Sequence, residues 1–240
     1  TSRTYMQSAR SHEAAQEQDP YNRLLARGPR FRLDGEMLRD TALFLSGSLI
    51  ESRGGPSVKP YQPVGVWKAV GYSGSNTVKY AQDQGDALYR RSIYTFWKRT
   101  APPPNMVAFD APSRESCTVR RSRTNTPLQA LALLNDVQMV EAARRLAQRI
   151  LSEGTGDVAA RANESFRWVT SREPTAKEKA ILLQAIESQL AMFKDQEAQA
   201  KLLVGMGNTP PPASMDAREL AAWTHFSLLL LNLDEVITRG

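Results

Sequence analysis

The chain has 240 residues, of which 41% are hydrophobic and 23% are charged, a composition typical of a globular protein with one large core or two small ones. Its longest apolar run, "FSLLLLNL", falls far short of the roughly 18 residues that a membrane helix needs, so we predict no transmembrane segment. The single cysteine excludes an internal disulfide, a cysteine-based zinc site and haem attachment through CxxCH. His12 and His225 show no HExxH-like spacing, and we expect no cofactor or metal in this chain.

Arginine dominates the basic residues, with 23 arginines among the 31 lysine and arginine side chains and a net charge of +6. The planar guanidinium group suits bidentate partners, which are carboxylates inside a fold or sulfate and phosphate groups outside it. The basic residues are spread along the chain and mixed with acids, so charge alone gives little support for a nucleic-acid partner.

The first 50 residues divide into an arm and a helix. Residues 1–32 are polar and arginine-rich, and we predict a polar arm with little to bury. Residues 33–49 predict a helix that is capped by Asp34 and carries Leu38 and Ala42 on one face, with the Ser-Gly-Ser at 46–48 closing it. Glu36 and Asp40, near the start of this helix, are interpreted as partners of the helix dipole rather than as paired catalytic carboxylates.

A long segment without periodicity follows. Residues 50–85 are rich in glycine, proline and aromatic residues, and we predict one long irregular insertion over this range. A structureless loop of this length is uncommon inside a compact domain. We therefore expect it to be tied down by Tyr61, Trp67 and Tyr72, or to belong to a binding surface.

Residues 86–240 predict a helical core. The stretch "DALYRRSIYTFWKRT" is interpreted as a helix that ends at the prolines of "APPPN". Thr126 and Gln129 form a capping-box pattern with proline between them, which predicts the start of a buried helix with an apolar run of leucines. Thr175 and Asp216 are predicted to cap two later helices. The fold class is mainly α, a single helical domain with one irregular insertion.

The segment from 115 to 136, "ESCTVRRSRTNTPLQALALLND", contains the only cysteine. Cys117 lies near several arginines, which could stabilise a thiolate, but neither histidine has a supporting signature for catalysis. Free cysteine is also among the most buried residue types. We therefore expect Cys117 to be buried and unreactive.

A cluster of arginines leads from this cysteine to the predicted helix start. Sulfate, phosphate or carboxylate could bind there, near Arg120, Arg123 and the N–H groups after Thr126, because a helix start offers unpaired donors and partial positive charge. The candidate anion-binding residues are Arg114, Arg120, Arg121, Arg123, Asn125 and Thr126. The alternative is a tied corner in which these arginines pair with Asp110, Glu115 or Asp136. Three acids cannot neutralise four arginines, so at least one arginine should find a distant acid, a backbone carbonyl or an external anion.

A second candidate surface combines aromatic and basic side chains at Tyr89, Arg90, Arg91 and Trp97. The pattern suits a stacking platform, but it is equally that of a helix that buries its aromatic side, and we favour the buried interpretation. The sequence contains no glycine-rich phosphate loop and no GxSxG elbow, so no catalytic residue is assigned.

Several blocks of the sequence resemble one known family. They include "GGPSVKPYQPVGVW", the long block from "LYRRSIYTFWKRT" to "VQMVEAARRLA", and "ELAAWTHFSLLLLNLDEVITRG". These blocks are similar to the planctomycete PSD domain, the uncharacterised C-terminal domain of planctomycete-type cytochrome c domain proteins. Val137 departs from the family pattern, which commonly has a proline after the Asn-Asp pair, and this leaves open whether the helix breaks there.

The resemblance implies a setting more than an activity. It implies an exported protein of the periplasm or cell envelope, with an N-terminal piece of the domain missing here. It also implies an upstream cytochrome-type module, in which haem c would sit, and a second uncharacterised domain. We expect a binding or positioning domain for an anionic glycan, such as a polysaccharide, or for a protein partner. An enzyme acting on sulfated polysaccharide is the alternative, and a basic nucleic-acid-binding domain is the third hypothesis.

Overall fold

The computed structural model describes residues 2–10 and 12–239. The helices in order are α1 (Glu13–Gln18), α2 (Gly35–Leu45), α3 (Val66–Val70), α4 (Pro104–Val107), α5 (Pro127–Asn135), α6 (Val137–Glu153), α7 (Val158–Thr170), α8 (Ala176–Phe193), α9 (Glu197–Val204), α10 (Ala217–Leu231) and α11 (Asp234–Ile237). Two 3₁₀ turns span Gly85–Tyr89 and Ser92–Tyr94, and β1 (Phe31–Arg32) pairs antiparallel with β2 (Thr238–Arg239). The predicted mainly α class is confirmed.

The core forms where α10 packs against α6, α8 and α9. The inward face of α6 carries the small residues Ala143 and Ala147, which are fully buried and let α10 approach closely. From α10, Trp223 and Phe226 fill the space between the helices and meet edge to face at 5.4 Å between ring centroids. The α7–α8 pair covers the other side of this core.

Side-chain N-caps fix the starts of α6, α7, α8 and α10. Thr175 and Glu178 form the predicted capping box, in which the Glu178 carboxylate accepts from the Thr175 N–H at 2.7 Å. Asp216 accepts from the first N–H groups of α10, as predicted. The Asp136 carboxylate does the same for α6, accepting from the N–H of Gln138 at 2.9 Å. The helix therefore breaks between α5 and α6 without a proline, because Asp136 ends one helix and caps the next.

The start of α5 agrees with the sequence, but its buried face does not. Thr126 is the N-cap and forms a capping box with Gln129, whose side-chain oxygen accepts from the Thr126 N–H at 3.4 Å. The Thr126 hydroxyl faces the Gln129 N–H without reaching good hydrogen-bond geometry. The predicted burial of this helix holds only in part, because Leu128 and Leu131 of its leucine run are exposed and α5 instead buries Gln129 and Leu133.

The predicted helix over residues 86–100 is wrong, because this segment folds as the two 3₁₀ turns. Arg39 of α2 is buried and donates to the carbonyls of Leu88 and Arg90, both at 2.8 Å. Those carbonyls are therefore taken by a side chain and not by the backbone ladder of an α-helix. Ile93 in this segment is 75% exposed.

The segment 50–85 has little regular structure besides α3. Trp67 is its main anchor, because it is buried and lies 4.9 Å from Tyr80 and 5.5 Å from Phe96 between ring centroids. Tyr61 reaches the helical core and donates to the carboxylate of Glu141 at 2.8 Å. Tyr72 is exposed and ties nothing down.

The helix predicted over 33–49 is α2, which ends earlier, at Leu45, where Gly47 takes a left-handed conformation with φ of 68°. Along the arm before it, α1 has no buried residue. Among the residues that the structure describes, no helix combines the length and the apolar character that crossing a membrane requires.

A candidate anion-binding groove beside α2

An open groove of about 880 Å³, called here the α2 groove, runs along the outer face of α2. Its lining includes four carboxylates and four arginines, which are Asp34, Glu36, Asp40, Glu51, Arg53, Arg91, Arg114 and Arg121. Apolar side chains share the lining, and Met37 and Ile93 are both exposed within it. The amphipathic pattern of α2 explains this surface, because Leu38 and Ala42 are buried in the core while Met37 remains exposed.

Arg121 is held by a bidentate ion pair at the groove. Its two terminal nitrogens donate to the two oxygens of Glu36 at 2.8 and 2.9 Å, and Asp34 lies 3.4 Å away. Burial is the largest influence and raises the pKa of Glu36, but the hydrogen bonds from Arg121, a backbone hydrogen bond and the charges of Arg121 and Arg114 together leave that pKa below its usual value. At least one arginine was expected to find a distant acid, a backbone carbonyl or an external anion. Arg121 takes the first of these, since it and Glu36 are 85 positions apart.

Arg91 is partly neutralised as well. Its Nε lies 3.5 Å from Asp40, whose other oxygen accepts from the Ser92 N–H at 2.8 Å. Asp40 therefore orders the 3₁₀ turn and shares its charge between Arg91 and Arg39, whose Nη1 lies 3.6 Å from it. This leaves the charge of Arg91 available only in part to a ligand.

Arg53 and Arg114 are the two groove arginines without a carboxylate partner within 4.0 Å in the described part of the chain. Arg114 stacks on Trp97, with 4.4 Å from its guanidinium carbon to the ring centroid, and the Trp97 indole donates to the Ser113 carbonyl at 3.0 Å. Arg53 is exposed on an irregular turn. Both guanidinium groups can therefore bind an anionic ligand without first giving up a protein carboxylate.

The remaining candidates near the α5 start lie outside the α2 groove. Arg123 stacks on Phe31 at 4.2 Å, and Arg120 is exposed. The helix start itself offers few donors, because Pro127 has no N–H and the Gln129 N–H already donates to the Thr126 carbonyl at 3.1 Å. The adjacent Thr124 N–H already donates to Asp110. Asn125 and Thr126 therefore border a helix start whose N–H groups are largely used.

The predicted burial of Cys117 is wrong, because the thiol is exposed. All residues from 113 to 120 are exposed and lack regular structure apart from bends. The segment lies on the protein surface, where the Cys117 side chain is not covered by other residues of the described chain.

The second candidate surface is divided by the fold. Tyr89 and Arg90 are buried, whereas Arg91 is exposed and Trp97 is partly exposed. The Tyr89 hydroxyl donates to Glu141 at 3.1 Å, inside the protein. These four residues therefore do not share one exposed stacking platform.

The sequence analysis did not predict Arg53 as a binding residue, and it did not predict that Asp34 and Glu36 pair with Arg121. Asp34 occupies the N-cap position of α2, yet its side chain makes no capping hydrogen bond and faces Arg121 instead. The available signal was the recurrence of Asp34, Met37 and Thr41 at helical spacing, which marks one outward face of α2. In the described residues, no group of three or more His, Cys, Asp or Glu side chains is arranged to share a metal ion.

These observations define a mainly α domain with an open groove of mixed charge. A family model described as PSD1, a protein of unknown function (DUF1553), matches residues 1–186. The chain therefore belongs to the PSD1 family. The match includes every residue that lines the groove and ends inside α8, so the block at 219–240 lies outside it. The comparisons with curated proteins and with solved structures gave no match.

Proposed function

We propose that this chain is a binding module that holds an anionic glycan in the α2 groove. Its resemblance to the planctomycete PSD domain extends the proposal. The chain would be the C-terminal domain of an exported cytochrome-type protein of the periplasm or cell envelope. Haem c would belong to an upstream module of that protein, and this domain would position the redox part on its target.

One observation carries the proposal, the presence in one groove of Arg53 and Arg114 without carboxylate partners in the described residues. Each guanidinium fork fits a sulfate or a carboxylate through two parallel hydrogen bonds. Met37 and Ile93 line the same groove and give exposed apolar surface, which suits the C–H face of a sugar ring. An anionic sugar therefore matches both the charge and the apolar part of the lining.

The same lining gives less support to a nucleic-acid partner. Four carboxylates border the groove, and even with three of them paired to arginines they interrupt the positive potential that a phosphate backbone follows. An enzyme acting on sulfated polysaccharide stays an alternative hypothesis, which product analysis of the bound sugar would test.

A thermal-shift panel tests the proposal. We expect sulfated and uronic-acid oligosaccharides to raise the melting temperature, and neutral oligosaccharides of equal length to leave it unchanged, with the shift falling as salt rises. Arg53→Ala or Arg114→Ala should reduce the shift. Arg167→Ala is the matched control, because Arg167 is an exposed arginine on α7 that pairs with Glu173 outside the groove.

Three outcomes would contradict groove binding. The neutral sugar could shift the melting temperature as much as the sulfated one. The control variant could lose the shift as the groove variants do. Duplex DNA could stabilise the protein more strongly at the same ionic strength.

A further inference from the structure

The groove wall that carries Arg53 is a short loop closed at both ends. Isolated parallel bridges join Ile50 to Arg90 and Val58 to Thr95. At the first end the Ile50 N–H donates to the Tyr89 carbonyl at 3.0 Å, and at the second the Val58 N–H donates to the Tyr94 carbonyl at 2.8 Å. The chain between 51 and 57 therefore leaves and returns to one segment, residues 89–96.

The inside of this loop is filled by one buried arginine. Arg90 is 8% exposed, and its two terminal nitrogens donate to three loop carbonyls, those of Ser52 at 3.2 Å, Gly54, and Pro56 at 2.9 Å. The three carbonyls belong to alternate residues and converge on a single guanidinium group. Such a cradle needs a planar cation with several donors.

Tyr94 completes the arrangement from the other side. The Arg90 guanidinium carbon lies 3.9 Å from the centroid of the Tyr94 ring, and the Tyr94 hydroxyl accepts from the Gly54 N–H at 2.8 Å. Gly54 and Gly55 both have left-handed φ values, 76° and 83°, which only glycine adopts without strain. A turn of two such glycines has little intrinsic preference for one shape, so Arg90 and Tyr94 must determine it.

We infer that Arg90 is a positioning residue, which holds Arg53 toward the α2 groove and thereby sets the affinity of the groove for anions without touching the ligand. The inference rests on the proposed function. Arg53 lies between Ser52 and Gly54, whose carbonyls both bind Arg90, so the backbone is fixed on each side of it. The Arg53 side chain remains exposed and lines the groove. Because the backbone around Arg53 is already fixed in the free protein, less conformational entropy is lost when Arg53 binds a ligand.

Arg90→Lys is the informative change. A lysine keeps the positive charge but cannot reach three carbonyls with a planar fork or stack in the same way on Tyr94. Hydrogen exchange of the Gly54 amide reports the loop directly and without any ligand. We expect Arg90→Lys to speed this exchange about tenfold or more. Without the stacked guanidinium, the Tyr94 hydroxyl is no longer aligned to accept from the Gly54 N–H.

Binding of a sulfated oligosaccharide gives the second readout. We expect Arg90→Lys to weaken it about tenfold, as Arg53→Ala does, and the double variant Arg53→Ala/Arg90→Lys to be no weaker than Arg53→Ala alone. Arg91→Lys is the control for exchange, since Arg91 neighbours Arg90 but contacts Asp40 and not the loop. In Arg90→Ala, added methylguanidinium at low concentration should partly restore Gly54 protection by occupying the emptied cradle.

The outcomes separate the two proposals. If the unaltered protein binds no anionic sugar, the proposed function and the affinity role of Arg90 both fail, while exchange still decides whether Arg90 holds the loop. If Arg90→Lys keeps both the Gly54 protection and the affinity, the inference is overturned. If Arg90→Lys does not fold, Tyr94→Phe takes its place for the exchange readout alone, because Tyr94 also lines the groove. Unchanged Gly54 exchange in that variant would likewise overturn the inference.

Discussion

Replacing Glu141 by glutamine tests how the irregular segment and the helical core are joined. Glu141 of α6 is 1% exposed. One carboxylate oxygen accepts from the Tyr89 hydroxyl at 3.1 Å and from the Thr209 N–H at 2.8 Å, and the other accepts from the Tyr61 hydroxyl at 2.8 Å. The carboxylate therefore connects α6 to Tyr61 in the irregular segment, to Tyr89 in the first 3₁₀ turn, and to the loop that precedes α10.

The expected loss of stability in Glu141→Gln follows from the charge of Arg144, which remains buried after the substitution. An amide keeps the size of the side chain, and the Tyr61 hydroxyl can turn to accept from it. The amide cannot balance Arg144, which is fully buried and 3.4 Å from Glu141. In the described part of the chain, the Nε and Nη1 of Arg144 have no hydrogen-bond partner. Removing one member of a buried pair costs about 3–5 kcal/mol. Because the pair is long and Arg144 still donates to the Thr209 carbonyl, we expect a loss near the lower end, about 3 kcal/mol.

Urea denaturation followed by circular dichroism measures this loss. Glu153→Gln is the control, because Glu153 pairs with Arg149 at the surface and should cost less than about 1 kcal/mol. Glu141→Gln with Arg144→Met should recover part of the stability, since the unpaired cation is then gone. A loss below about 1 kcal/mol for Glu141→Gln would refute the reasoning.

Three further predictions concern the same fold. Gly207→Ala should cost more than about 2 kcal/mol, because Gly207 has φ of 95° and a methyl group there would lie 2.5 Å from the carboxyl carbon of Glu141; an unchanged urea midpoint would contradict this. Cys117 should react fully with maleimide in the native protein without a change in melting temperature, since the thiol is exposed; labelling only after unfolding would be inconsistent with that exposure. Burial raises the pKa of Tyr61 and of Tyr80, so above about pH 10 the unfolded state loses protons that the folded state keeps, and stability should fall as pH rises further. A urea midpoint that stays constant between about pH 8 and about pH 11 would count against this burial.

Sequence patterns predicted the helices whose boundaries are set locally. Thr175 and Asp216 cap their helices through atoms three residues away or fewer, so the pattern contains all the information needed. The segment 86–100 shows the opposite case. Its aromatic spacing suits a helix, but Arg39 contacts its carbonyls from about 50 positions earlier, and no local pattern records that contact.

The candidate site divides in the same way. An arginine-rich segment was visible in the sequence, and the count of nearby acids correctly showed that they could not pair with every arginine of the segment. That the partner of Arg121 is Glu36, and that Arg53 joins the same groove, depends on how the 50–58 loop and the surface segment around 114–121 lie against α2. Those positions result from tertiary contacts, so spacing along the chain could not predict them.

Isothermal titration of a sulfated oligosaccharide into the 240-residue chain tests groove binding most directly. We expect measurable binding that weakens as salt is added, and the double variant Arg53→Ala/Arg114→Ala should lose about a hundredfold in affinity, about tenfold for each charge-assisted contact. Arg167→Ala should bind as the unaltered protein does. Equal affinity of the double variant and the unaltered protein, or no binding of the sulfated sugar even at low salt, would contradict the proposal.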